Sequence, residues 1–152
     1  MISLLNKVQD LIVRKSVHSQ EKSEHFAEVF TPICLIQEMV DTLPVEMWTD
    51  KTKTFLDPCA GLGNYSIVII KKYFNENPNF QEHPEAALKH IVENQLFMME
   101  LQRESAEFIA TVFTFGKDFK VNLYVGDSLE MPEDFFDLSW EERREKYPNN
   151  II

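Results

Sequence analysis

The chain has 152 residues, and 15 lysines and arginines against 25 aspartates and glutamates give it a formal charge of −10. Such a length suits one domain with a real core, and 44% apolar with 26% charged residues exclude a disordered or fibrous chain. A surface this acidic repels phosphate backbones, so if the chain acts on DNA or RNA, most of the binding surface lies elsewhere.

The opening stretch, MISLLNKVQDLIVRKS, sets Leu4, Leu5, Val8, Leu11 and Ile12 at helical spacing, with Lys7, Asp10 and Arg14 off the stripe. Asn6, Lys7, Gln9 and Asp10 interrupt its apolar residues, so it is not a signal peptide. Residues 16–27 are polar and read as a connection; helix and connection together account for residues 1–25, and one domain for 26–152. Thr31 is a good N-cap and Pro32 suits a first helical position, which predicts a helix through Ile33, Ile36, Met39, Val40 and Leu43, ended near Pro44.

Thr54-Phe55-Leu56 reads as a short strand running into the turn Asp57-Pro58-Cys59-Ala60-Gly61-Leu62-Gly63-Asn64. A strongly apolar helix follows through Tyr65, Ile67, Val68, Ile69, Ile70 and Tyr73. Residues 75–83 are a polar loop, and 84–93 an extra short helix. Residues 96–99 form a second strand closed by Glu100, and 104–115 a helix stopped by Gly116. Residues 121–125 are a third strand ending at Gly126-Asp127. An acidic loop leads to Ser139-Trp140-Glu141-Glu142, a capping box, and Ile151-Ile152 reads as the start of a fourth strand.

Strands alternating with helices predict an α/β fold, a parallel sheet with flanking helices, Rossmann-like and incomplete on its C-terminal side. No apolar run approaches the ~20 residues that cross a bilayer, so no membrane partner is expected. Cys34 and Cys59 make no disulfide framework and cannot fill a four-ligand zinc site, which fits a cytoplasmic, reducing setting. His18, His25, His83 and His90 are scattered without metal spacing and read as surface or loop residues, so no metal is expected.

In such sheets ligands sit at the carboxyl ends of the strands. Each strand here ends in an acid: Asp57, Glu100 and Asp127. A single acid there is as well explained by exposure; the recurrence, with glycines beside two of them, points to a site. Gly61 and Gly63 let a ligand approach the backbone closely, but Ser66 stands where a dinucleotide fingerprint has its third glycine. The acid before the turn also repels a pyrophosphate. A ligand with positive charge fits better, and S-adenosylmethionine carries an ammonium and a sulfonium. Cys59 has no basic neighbour in sequence to activate it and reads as a small packing residue.

Four stretches, in order, resemble the S-adenosylmethionine-dependent DNA adenine-N6 methyltransferases of restriction–modification systems. They are Glu28-Val-Phe-Thr-Pro32, Phe55-Leu-Asp-Pro-Cys-Ala-Gly-Leu-Gly-Asn64, His90-Ile-Val-Glu-Asn-Gln-Leu-Phe-Met-Met-Glu-Leu101 and Tyr124-Val-Gly-Asp-Ser-Leu129, within residues 26–130. The extra segment before Glu100, which stretches a usual gap of ~20 residues, resembles one branch of that family.

The resemblance implies a role for each matching residue. Phe30, Thr31 and Pro32 would border the methionine end of the cofactor, the helix N-terminus facing its carboxylate. Asp57, Pro58, Cys59, Ala60, Gly61, Gly63 and Asn64 would hold its amino group and backbone side. Glu100, beside Leu101, would accept from the ribose hydroxyls, and Asp127 from the adenine amine, with Ser128 and Leu129 flanking the ring. For Phe30 and Leu129 core packing explains the residue equally well, and for Thr31 capping is compatible with binding.

The family's catalytic Asn/Asp-Pro-Pro-Tyr/Phe element, which binds the flipped base, has no counterpart in place. Asn77-Pro78-Asn79-Phe80 lies after the wrong helix and has Asn79 for the second proline, so no catalytic residue is assigned. The expectation is therefore the cofactor-binding part of a methyltransferase, a truncated or split enzyme. DNA would be held by regions absent from the chain, with a complementary subunit or a second copy as partner. A non-catalytic cofactor-binding module and an acidic interaction module are the alternatives.

Overall fold

The computed structural model describes residues 1–22 and 31–152, with side chains described for 1–17 and 31–152. It divides into two compact units, residues 1–53 with 62–88, and residues 54–61 with 89–152.

The first unit is helical. Helix α1 (Ile2–Lys22) buries Leu5, Val8 and Ile12. It continues through residues 16–22, where the polar composition had suggested a connection. No glycine or proline interrupts residues 1–22, and Ser16 turns its buried hydroxyl onto the Ile12 carbonyl at 2.9 Å. Helix α2 (Ile33–Asp41) buries Ile36 and Val40. Its N-cap is Pro32 rather than Thr31, and no side chain caps it. With the helix starting at Ile33, Thr31 lies one residue too far out to reach the first-turn amides.

Helix α3 (Glu46–Thr49) was not predicted. Its Trp48 is buried edge-on to Tyr73 at 5.5 Å, and its carbonyl accepts from Asn77 Nδ2 at 2.5 Å. Helix α4 (Asn64–Glu76) supplies most of this unit's core through Ile67, Val68, Ile69, Ile70, Tyr73 and Phe74. Lys71 Nζ on α4 donates to Gln9 Oε1 on α1 at 2.8 Å, tying the two helices. The 3₁₀ turn Pro78–Gln81 buries Phe80 edge-on to Phe74, so the string Asn77-Pro78-Asn79-Phe80 is a packing element. Helix α5 (Pro84–His90) buries Leu88.

The second unit holds the sheet. Strands β1 (Phe55–Asp57), β2 (Leu96–Glu100) and β3 (Asn122–Val125) run parallel in the order β1-β2-β3. Phe55 pairs with Leu96, and Glu100 with Val125. All four β3 residues are buried, as in a strand covered on both faces. A π-helical turn, Ile91–Gln95, leads into β2, and Asn122 Nδ2 donates to the Glu93 carbonyl at 2.8 Å. Helix α6 (Arg103–Val112) covers β2 and β3 with Ala106 and Ile109 fully buried. The left-handed stop expected at Gly116 takes two residues, Phe115 at φ +53° and Gly116 at φ +71°. Burial of Phe115 edge-on to Phe113 at 6.0 Å offsets the strain, about 1 kcal/mol for a left-handed L-residue.

Helix α7 (Trp140–Lys146) opens on the predicted capping box, Ser139 with Glu142. The acidic stretch before it contributes to the core. It sends Phe135 fully into a cluster with Met99, Tyr124 and Ile151. Arg143 is buried and ties the loop to the sheet, donating to Asn122 Oδ1 at 2.8 Å and to the carbonyls of Phe136 and Leu138 at 3.0 and 2.9 Å.

Residues 151–152 form no fourth strand. Asn150 explains this. Its carbonyl accepts from the Val125 amide and its Nδ2 donates to the Val125 carbonyl, both at 2.8 Å, so Asn150 meets the edge of β3 at Val125 with one backbone and one side-chain bond rather than as an extended strand. Among the described residues no helix is long and apolar enough to cross a membrane.

Candidate functional site

Within the second unit, the three acids fall at the carboxyl ends of three adjacent parallel strands. Asp57 and Glu100 are the last residues of β1 and β2, and Asp127 follows β3 by two. The turn after β1 folds onto the end of β2: the Ala60 amide donates to the Met99 carbonyl at 2.9 Å, and the Gly61 amide to Glu100 Oε2 at 2.8 Å. Gly61 has φ +57°, a conformation other residues rarely adopt, and it aims that amide at the carboxylate. The other oxygen, Glu100 Oε1, accepts from the Gln102 amide at 2.7 Å. Glu100 is only 6% exposed, and its carboxylate joins the turn, through Oε2, to the backbone just after β2, through Oε1.

Asp57 is held differently. Its Oδ1 accepts from the Cys59 amide at 3.3 Å, whereas its Oδ2 is buried with no hydrogen-bond partner among the described residues. Burial pushes the carboxyl above the usual carboxylate range, and the Cys59 amide opposes this only in part. A half-buried carboxylate with one buried oxygen left unpaired among the described residues favours positive charge nearby.

After β3 the Gly126 amide donates to the Glu100 carbonyl at 3.0 Å, and a Cβ at Gly126 would meet the Tyr124 hydroxyl at 2.9 Å. Asp127 Oδ1 accepts from the Leu129 amide at 2.9 Å and caps the 3₁₀ turn Ser128–Glu130. Leu129 is 93% exposed, which excludes the packing explanation for it, and Leu101 is exposed as well. Pro58 is also exposed, and so is Cys59, which does not serve as the packing residue its size suggested. Ala60 beside it is buried instead.

The other predicted residues belong to the first unit. Gly63 is the N-cap of α4 at φ +88°, and Asn64 begins that helix. Thr31, Pro32 and Asn64 line one cavity of about 500 Å³, whose other walls are Ile33 and the α1 residues Gln9, Asp10, Val13, Ser16 and Val17. Asn64 is 8% exposed, and its Oδ1 has no hydrogen-bond partner. The structure thus brings Thr31, Pro32 and Asn64 together, and separately the Asp57 turn, Glu100 and the end of β3. Phe30 lies outside the described residues.

The α1 wall escaped sequence reasoning. Its signal was present: Val13 and Val17 lie off the Leu5–Val8–Ile12 stripe, where a purely structural helix has polar residues. Among the described residues no cluster of three or more His, Cys, Asp or Glu side chains is arranged for a metal ion. No family model matches the chain, and no curated protein matches it.

Proposed function

We propose that the chain is the S-adenosylmethionine-binding part of a DNA adenine-N6 methyltransferase, built on a Rossmann-like methyltransferase fold. The observation that carries this is Asp57: a buried carboxylate oxygen without a partner, at the end of a parallel strand, beside a glycine turn. That environment favours a cationic ligand with room to approach the backbone, which the ammonium and sulfonium of S-adenosylmethionine satisfy. Glu100 and Asp127 at the ends of the neighbouring strands would receive the ribose and the adenine amine. The order of the four sequence stretches supplies the choice of DNA adenine as substrate.

Residues that stack on and hold the target base are not found at the expected place among these 152 residues. A complementary subunit, a second copy or further polypeptide would provide them together with the DNA-binding surface, in the cytoplasm. Two measurements test this. Calorimetry with S-adenosylmethionine should give saturable binding to the chain, and its absence would refute the cofactor. Labelled cofactor and DNA should give no methyl transfer with the chain alone; turnover would overturn the assignment of catalysis to other residues.

A further inference from the structure

Tyr124 stands on β3 with only 3% of its surface exposed. Its ring packs edge-on against Phe135, centroids 4.9 Å apart, which accounts for the ring but not for the hydroxyl. Among the described residues that oxygen has no hydrogen-bond partner, and it is not one of the sealed polar atoms there, so the exposed sliver of Tyr124 includes its tip. A buried tyrosine ordinarily finds its hydroxyl a partner, and a phenylalanine would fill the same space without that need.

The backbone beside it makes room. Gly126 takes φ +150°, a conformation that residues with a side chain rarely adopt, and a Cβ there would stand 2.9 Å from the hydroxyl. The phenol tip therefore passes along residue 126, whose amide bonds to the Glu100 carbonyl and which Asp127 follows. Burial first, then the Glu130 and Asp127 carboxylates, hold the phenol above its usual range, so at neutral pH it is a hydrogen-bond donor. All of these residues belong to the second unit. A donor next to a carboxylate acceptor complements one edge of adenine, whose amine donates and whose neighbouring ring nitrogen, N1, accepts.

We infer that Tyr124 is a specificity-determining residue of the strand-end site, its hydroxyl donating to adenine N1 while Asp127 accepts from the adjoining amine. This rests on the cofactor reading above and gives a role to a residue to which the sequence stretches assign none.

Calorimetry on the whole chain with two probes tests it: S-adenosylhomocysteine, and its 1-deaza analogue, in which a C–H replaces N1. Wild type should bind S-adenosylhomocysteine roughly fivefold tighter than the analogue, as one hydrogen bond predicts. Tyr124→Phe should bind both probes alike, with the wild-type affinity for the analogue. A preference that survives in Tyr124→Phe, or none in wild type, overturns the inference while the cofactor reading stands. Binding of neither probe by wild type overturns both. Thermal melting checks that Tyr124→Phe is folded. Should it unfold, 3-fluorotyrosine at position 124, a stronger donor of nearly the same size, should widen the wild-type preference, and an unchanged preference overturns the inference.

Discussion

Asp57 and Glu100 close neighbouring parallel strands, yet the fold treats the two carboxylates in opposite ways. Both oxygens of Glu100 accept backbone amides, from Gly61 and Gln102. One oxygen of Asp57 accepts a long bond from Cys59 and the other is buried without any. Glu100 therefore holds the turn in place, and Asp57 is the group that the turn presents. The lesson is that acids at equivalent strand ends divide the labour: one is engaged by backbone amides, and the other keeps an oxygen unpaired among the described residues at some cost in stability, which suits the ligand-binding role proposed for it.

The largest effect should come from removing the scaffold acid. Glu100→Ala leaves two amides without a charged acceptor and is expected to cost about 3 kcal/mol in urea denaturation. A loss under ~1 kcal/mol would mean that the turn stands without Glu100 and that the contrast is false. Asp57→Ala should leave stability unharmed but weaken S-adenosylmethionine binding by about 2 kcal/mol, near 30-fold, by calorimetry. An unchanged affinity would remove Asp57 from the site.

Asp57→Asn sharpens the comparison through pH. The folded carboxyl titrates above its ordinary range, so ionising it opposes folding, and the penalty is present in full above the raised pKa. It fades as the pH falls through that value toward the ordinary carboxylate range, where both states are protonated. The asparagine variant should thus be more stable than wild type by about 1 kcal/mol at neutral pH, and equal to it in acid. A gain that persists in acid would point to some other cause. Asp127→Ala should have the smallest effect, about 0.5 kcal/mol, because it removes one exposed cap from a single turn; thermal melting measures it.

Much of this arrangement is legible from the amino acids, because it depends on local patterns. Short apolar runs closed by Asp57, Glu100 and Asp127 gave the strands and their acidic ends, and Ser139 with Glu142 gave α7. The misses are tertiary. Nothing local says that residues 16–22 stay helical, or that Trp48 finds Tyr73 and so orders α3. The state of each carboxylate was equally hidden. Whether Glu100 meets the Gly61 amide depends on a turn 39 residues away, and the desolvation of Asp57 depends on what surrounds it. The contribution of α1 to the cavity is a packing outcome that the positions of Val13 and Val17 hint at without naming the partner.

Asn150 has a consequence for assembly. A strand edge with free polar groups invites a neighbouring polypeptide to zip onto it. At Val125 both groups are already clasped by Asn150, through its carbonyl and its amide. A polypeptide pairing with β3 at Val125 would have to displace Asn150 from both groups, so the asparagine shields that one position of the edge.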